Sequence, residues 1–213
     1  LKKYDVLFVA DEVICGFHRT GNTWGSITYN IKPDILTCAK ALSSSYLPIA
    51  AVMITEPIFR ELAKGSAEVG NWGHGYTYSG HPVAAAVALE TLKIYEERDI
   101  GAHVRRIAPT MQNGLRKFAD HPLVGEVRGI GLIGAVELVK NKKTKESFDP
   151  KQYVGAKLSN FAQAHGLIIR AMGDHIGVCP PLIIKGGELE VLLSRFGQAL
   201  DDTYEWVQEK GWA

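Results

Sequence analysis

The sequence is poor in the features that build disulfide frameworks, thiolate metal sites and membrane spans. Its 213 residues include only three cysteines, Cys15, Cys38 and Cys179, which are far apart and form no CxxC pair. No apolar run approaches the roughly 18 residues that a membrane-spanning helix needs. We therefore expect reduced thiols in a cytoplasmic protein, with no metal centre and no membrane partner.

The chain also lacks an excess of either charge. Lysine and arginine total 24, aspartate and glutamate total 23, and the formal net charge is +1. Charges that are this evenly balanced produce no electrostatic field that attracts nucleic acid, so no nucleic-acid partner is expected. Hydrophobic residues make up 46% and charged residues 22% of the chain, which is typical of a globular protein.

Short apolar runs in the first half of the chain predict an α/β fold. Such runs suit strands that are buried on both faces, as in a parallel sheet. Proline is tolerated in the first turn of a helix, so Pro82 predicts a helix from Val83 to about Glu97, buried at its start. A glycine-rich connection is expected over residues 65–80. The predicted strands lie at 6–10, 34–39 and 49–54.

The pattern changes after residue 120 to a smaller α+β arrangement. We place the boundary near residue 99, so that residues 1–98 and 99–213 form two domains. The predicted strands of the second domain lie at 124–128, 130–139, 166–170 and 175–179, and its helices at 100–118, 152–165 and 187–210.

A GxGxxG motif at residues 129–134 matches the dinucleotide-binding fingerprint. That fingerprint requires the glycines to open a helix whose N-terminus receives a pyrophosphate. Residues 135–139 are instead an alternating strand pattern, so we reject a dinucleotide site and expect a bulge or close strand packing.

Asp11 and Lys40 each follow a predicted strand, at the position where open α/β sheets bind ligands. Taken alone, each residue has a simpler structural interpretation. Asp11 would be a helix cap or a partner of Arg19, and Lys40 would keep its charged amine in water. Partial desolvation at a strand end would favour the neutral, nucleophilic amine. Together, an amine for a Schiff base and an anion for a pyridinium nitrogen are what pyridoxal phosphate requires.

Four segments of the sequence resemble the class III aminotransferases, which are pyridoxal-phosphate enzymes of fold type I. The omega-amino acid and amine:pyruvate transaminases are the most similar branch, followed by pyruvate-using 4-aminobutyrate transaminases. The resemblance covers essentially the whole chain. Its segments are DEVICGFHRTG at 11–21, PDILTCAKAL at 33–42, GYTYSGHP at 75–82, and GLIIR at 166–170 followed by CPPLI at 179–183.

The resemblance implies a role for each matching residue. Lys40 resembles the Schiff-base lysine, and Asp11 the carboxylate that keeps the pyridine nitrogen protonated. Val13 resembles the residue packed on the ring face. Thr77 resembles the hydroxyl that reaches the cofactor phosphate of a neighbouring subunit, which implies a homodimer. Arg170 resembles the mobile arginine that pairs with the substrate carboxylate, a task that suits the two-pronged guanidinium.

Two positions depart from the family pattern. Ile14 replaces a glutamine that in many relatives hydrogen-bonds the cofactor, and this favours the amine:pyruvate branch while removing a polar contact. His18 replaces a glycine, so its side chain is expected either to strain the loop or to face solvent.

The implied fold is the latter part of a large cofactor-binding domain followed by a small C-terminal α+β domain. The family's phosphate-binding turn and ring-stacking aromatic residue lie upstream of the matched region. The chain is therefore expected to be about the latter half of an enzyme, with weak cofactor binding as a separate polypeptide.

The implied function is transfer of an amino group from an omega-amino acid or amine to a keto acid such as pyruvate. The alternatives are a 4-aminobutyrate:pyruvate transaminase, an inactive remnant that only dimerises, and a related aminomutase or decarboxylase.

Overall fold

The contacts within the chain divide it into two units, Leu1–Gly101 and the residues from Ala102 onward. The structure is a computed structural model, and it describes residues 1–212. The assignment of residues 1–98 to a cofactor-binding domain and of 99–213 to a smaller domain stays a prediction.

Three short strands form the sheet of the first unit, in the order β1-β2-β3. Strands β1 (Val9–Asp11) and β2 (Ile35–Cys38) are parallel, and β3 (Ala51–Ile54) runs antiparallel to β2. The predicted strands are therefore present, and the parallel arrangement applies to β1 and β2. Because these two strands are parallel, their carboxyl ends lie at the same edge of the sheet.

The first strand is shorter and more exposed than its sequence predicts. Val6 and Leu7 precede β1 and are 50% and 57% exposed, and Val9 is 52% exposed. Within β1 only Ala10 is buried. The expectation of burial on both faces is therefore wrong for this strand, because the described residues leave uncovered the face that carries Val9 and Asp11.

Three helices complete the first unit: α1 (Gly25–Thr28), α2 (Glu56–Val69) and α3 (Pro82–Glu97). Helix α3 begins at the proline that predicts it, but its start is buried on one face only: Ala84 is buried, whereas Val83 is 56% exposed. Helix α2 overlaps the connection predicted from residue 65. Gly65 lies within this helix, and an added Cβ there would contact no described atom, so this glycine marks neither a turn nor a close approach.

The second unit contains a four-stranded antiparallel sheet in the order β4-β5-β7-β6. Strand β5 buries every second residue, and β7 buries Ile176 and Val178, so these two central strands turn one face to the core. Their bounds are β4 Val124–Ile130, β5 Ile133–Leu138, β6 Arg170–Met172 and β7 His175–Val178.

The GxGxxG motif forms the turn between β4 and β5. Gly129 pairs with Gly134 across the hairpin, and Gly131 has a φ of +58° in the turn itself. A Cβ at Gly129 would lie 2.6 Å from the carbonyl oxygen of Ile133. The motif therefore permits a tight hairpin with close strand contact, as the sequence predicts, and it does not open a helix.

Long amphipathic helices supply the rest of this core. They are α4 (Ile100–Arg116), α5 (Val154–Ala164) and α6 (Gly186–Glu209). Helices α5 and α6 pack on each other, and Leu158 and Phe196 are fully buried. Burial of each such side chain contributes roughly 1.5–3 kcal/mol. None of the helices in residues 1–212 is both long and apolar enough to span a bilayer.

Candidate active site

The two principal candidate residues come from the same edge of the first sheet. Asp11 is the last residue of β1, and it lies in register with Thr37 of β2. Lys40 follows the end of β2, which closes at Cys38. The parallel pairing therefore brings a carboxylate and an amine to adjacent strand ends, as the sequence predicts.

The Asp11 carboxylate is oriented by its own turn. Its Oδ1 accepts a hydrogen bond of 3.0 Å from the Val13 amide and a long one of 3.5 Å from the Thr37 hydroxyl. An aspartate that accepts from the amide two residues later closes a local turn. The side chain is thus directed toward the end of β2 and is not a cap of a following long helix.

Lys40 begins a 3-10 turn, Lys40–Leu42, with an unusual backbone conformation. Its φ is +47°, in the left-handed region, where a residue with a side chain costs roughly 1–2 kcal/mol. The residue is exposed, so the expected partial desolvation of its amine is wrong for this structure. The amine is instead reachable from solvent, as capture of a small molecule requires.

Glu12 is a residue of this edge whose role the sequence did not reveal. It is 3% exposed, and its two carboxylate oxygens accept hydrogen bonds of 2.8 Å from the Gly25 amide and 2.6 Å from the Ser26 amide. Its own amide donates to Thr37 O at 2.9 Å, and its carbonyl accepts from Gly16 N at 2.8 Å. Glu12 therefore fixes the backbone directly after Asp11. The only signal in the sequence was an acidic residue at a strand end.

Glycines allow the close packing around Glu12. A Cβ at Gly16 would lie 2.8 Å from both the Glu12 carbonyl oxygen and the Trp24 ring. A Cβ at Gly25 would lie 3.0 Å from the Glu12 carboxylate and from Cys15 Cβ. The loop between β1 and α1 is therefore compact, and it holds the carboxyl end of β1 in one conformation.

The other residues predicted in this loop have different environments. Val13 is half-buried in the turn after β1, whereas Ile14 is 45% exposed. His18 has a φ of +74°, so the predicted backbone strain is present. Its ring is half-buried and meets the Tyr95 ring edge-on at 6.3 Å, so it does not simply face solvent.

Thr77 is not part of the hydrogen-bonded arrangement around Asp11 and Lys40. It opens a turn within a segment, residues 71–83, in which every residue is exposed. Two hydrogen bonds close that turn: the Ser79 amide donates to the Tyr76 carbonyl at 2.9 Å, and the Tyr76 amide donates to the Ser79 hydroxyl at 2.9 Å. Among residues 1–212, Thr77 makes no hydrogen bond to either of the two principal candidates.

Arg170 belongs to the second unit, where it begins the β6–β7 hairpin and pairs with Gly177. Its side chain is exposed. At the hairpin tip, the Asp174 carboxylate accepts a bond of 2.9 Å from the Gly155 amide, which ties the tip to α5. Partial burial raises the pKa of the Asp174 carboxyl, and the bond from Gly155 opposes that rise. The hairpin that carries Arg170 is thus anchored at its far end.

No group of three or more histidine, cysteine, aspartate or glutamate side chains suited to a metal ion occurs within residues 1–212.

Comparison with known protein families identifies the family to which this chain belongs. The family described as Aminotransferase class-III matches residues 1–200. The chain belongs to the class-III aminotransferases. The resemblance noted in the sequence is thereby confirmed, together with the α/β fold of that family.

Proteins named as transaminases or aminotransferases are similar along nearly the whole chain. Gamma aminobutyrate transaminase 2 of Solanum lycopersicum is 47% identical over 98% of this chain. Vanillin aminotransferase of Capsicum chinense is 46% identical over 98% of it. The omega transaminase of Pseudomonas jessenii, solved in complex with PMP, is 51% identical over 97% of it, with a TM-score of 0.93.

The chain spans about half the length of these proteins: 46% of the tomato transaminase, 46% of the pepper enzyme and 46% of the Pseudomonas chain. The roles of Asp11, Val13, Ile14, Lys40, Thr77 and Arg170 stay predictions, since similarity of the chain does not test individual side chains.

Proposed function

We propose that this chain carries the lysine half of a pyridoxal-phosphate-dependent transaminase active site, which moves an amino group from an omega-amino acid or amine to a keto acid such as pyruvate. The observation that carries the proposal is the placement of Asp11 and Lys40 at one edge of a parallel strand pair. Membership of the class-III aminotransferases supports it.

The residues at this edge fit the cofactor by their chemistry. Lys40 offers an exposed primary amine that would hold the cofactor covalently, and Asp11 an oriented carboxylate that would face the ring nitrogen. Val13 lies in the turn that Asp11 closes, where it would pack on the ring, next to Ile14. When bound, the cofactor supplies an aldehyde that accepts an amino group and a ring that withdraws electrons from the neighbouring carbon.

The protein's own groups then perform two tasks. The Asp11 carboxylate stabilises positive charge beside it, because its position is fixed before any ligand arrives. The Nζ of Lys40 takes a proton from the substrate carbon that bears the amino group. The exposed setting of Lys40 gives substrate access to that nitrogen.

Substrate choice is proposed to depend on Arg170. A guanidinium binds a carboxylate through two parallel hydrogen bonds, and its long side chain can turn away when the substrate has none. We also propose a homodimer in which Thr77 reaches the cofactor of the partner subunit. The exposure of the whole 71–83 segment supports such a contact. A cytoplasmic location completes the proposal.

A narrower candidate is a 4-aminobutyrate:pyruvate transaminase. The similarity to tomato gamma aminobutyrate transaminase 2 favours it. The two candidates differ in their amino donors, so the relative turnover of 4-aminobutyrate and of simple amines distinguishes them.

The direct test adds pyridoxal phosphate to the 213-residue chain and fixes the adduct with borohydride. Peptide mass spectrometry is expected to find the cofactor on Lys40. Pyruvate consumption is then measured with an amine and with an omega-amino acid. A chain that acquires no specific lysine adduct would be the inactive remnant, and amine conversion that does not need pyruvate would indicate an aminomutase or decarboxylase.

Replacing Arg170 by alanine is expected to separate two classes of substrate. Turnover of carboxylate-bearing donors should fall by about 10- to 100-fold, because a charge-assisted pair of roughly 1.5–3 kcal/mol is lost. Turnover of simple amines should change little. The measurement is kcat/KM for both donors in the protein as its gene encodes it.

The matched control for this prediction is Arg116→Ala, which removes another exposed arginine of the second unit that bonds only to Asn113 within the described residues. It should leave both donors unaffected. An equal loss on both donors in Arg170→Ala would remove the proposed role.

A further inference from the structure

The turn that carries Lys40 requires support from outside itself. Lys40, Ser44 and Ser45 all have positive φ values, of 47°, 49° and 67°. Residues with side chains adopt such conformations only when their surroundings impose them. The lysine therefore projects from a backbone segment that would relax if it were free.

Tyr95 supplies a contact that holds this turn. From helix α3, its hydroxyl donates a hydrogen bond of 2.7 Å to the carbonyl of Ala41, the residue directly after Lys40. The phenol oxygen thus connects the turn to a helix that lies far along the chain.

The phenol itself is held firmly in place. Tyr95 is 9% exposed and ends the buried stripe of α3, whose other members are Ala84, Ala88 and Thr91. The His18 ring meets the Tyr95 ring edge-on, at an interplanar angle of 84°. Burial raises the pKa of the Tyr95 phenol, which favours the protonated form of the hydroxyl that donates this bond.

We propose that Tyr95 is a positioning residue for the reaction of Lys40: its hydroxyl fixes the turn from which the lysine amine projects and so sets the rate at which that amine bonds to the cofactor. In that step Nζ forms a bond to the aldehyde carbon, and the aldehyde oxygen leaves as water with two protons from the amine. This inference rests on the proposed function. Tyr95 acts through the turn, since its hydroxyl bonds to the Ala41 carbonyl.

The test uses Tyr95→Phe, which keeps the ring and its contact with His18 and removes one oxygen atom. Cofactor-free protein, as its gene encodes it, is mixed with saturating pyridoxal phosphate, and the reaction is stopped with borohydride at intervals. Mass spectrometry of the Lys40 peptide then gives the rate constant of bond formation. Saturation removes any effect of weaker cofactor binding from this rate constant.

The rate constant in Tyr95→Phe is expected to be about five- to tenfold lower, the effect of one lost hydrogen bond. Amide hydrogen exchange over residues 41–46, measured without cofactor, is expected to accelerate by a similar factor. Tyr29→Phe is the control, because this tyrosine of the same unit is 62% exposed, and it should match the unsubstituted protein in both measurements.

An unchanged rate of bond formation in Tyr95→Phe would overturn the inference alone, whether the thermal stability of the variant is unchanged or lower. In either case, the unsubstituted protein still forms the Lys40 adduct, so the proposed function stands. Absence of an adduct in the unsubstituted protein would overturn the proposed function and this inference with it.

Discussion

Replacing Lys40 by alanine is expected to abolish covalent attachment of the cofactor. The amine at this strand end is the group that would bond to the cofactor, and alanine offers no nitrogen in its place. Loss of the proton transfer alone should reduce turnover by about 10²- to 10⁴-fold. The measurements are the visible absorbance of the cofactor-loaded protein, borohydride fixation at the 40-containing peptide, and pyruvate-dependent turnover.

The control is Lys32→Ala, which removes an exposed lysine just before the same strand. It should retain the visible absorbance, the adduct and the turnover. A Lys40→Ala protein with an unaltered spectrum would refute the assignment of this lysine.

Replacing Asp11 by asparagine is expected to impair turnover while cofactor attachment persists. The amide oxygen can still accept the 3.0 Å bond from Val13, so the turn after β1 should survive. The neutral amide cannot stabilise a protonated ring nitrogen, and loss of one preorganised electrostatic contact costs about 10²- to 10³-fold in kcat. The measurements are kcat with an amine donor and the extent of adduct formation on Lys40.

Asp5→Asn serves as the comparison, since Asp5 is exposed and its φ of +50° is one that asparagine adopts readily. Its kcat should equal that of the unsubstituted protein. A normal kcat in Asp11→Asn would contradict the role of the carboxylate, and loss of both kcat and adduct would point to a folding defect instead.

The features that follow from local pattern and strand direction were predictable from the sequence. Pro82 marks the start of α3, and the strand-like residues after the GxGxxG motif exclude a helix there. The juxtaposition of Asp11 and Lys40 follows from the rule that parallel strands end at the same edge of a sheet.

The features that depend on contacts distant in sequence were not predictable. Glu12 is buried because the amides of Gly25 and Ser26 surround it, and no local pattern reveals those partners. Tyr95 reaches Ala41 across 54 residues of chain. Helix α2 was obscured for a local reason, since Gly65 lies in its interior and a glycine there resembles a loop signal.

The packing of the loop around Glu12 constrains how this region can vary. A Cβ at Gly16 would lie 2.8 Å from the Glu12 carbonyl oxygen as well as from the Trp24 ring, so a smaller residue at 24 does not by itself make room for a larger one at 16. A Cβ at Gly25 would likewise lie 3.0 Å from the Glu12 carboxylate, which the Gly25 and Ser26 amides hold in place. A mutagenesis library for this region should therefore keep both glycines and vary the positions around them.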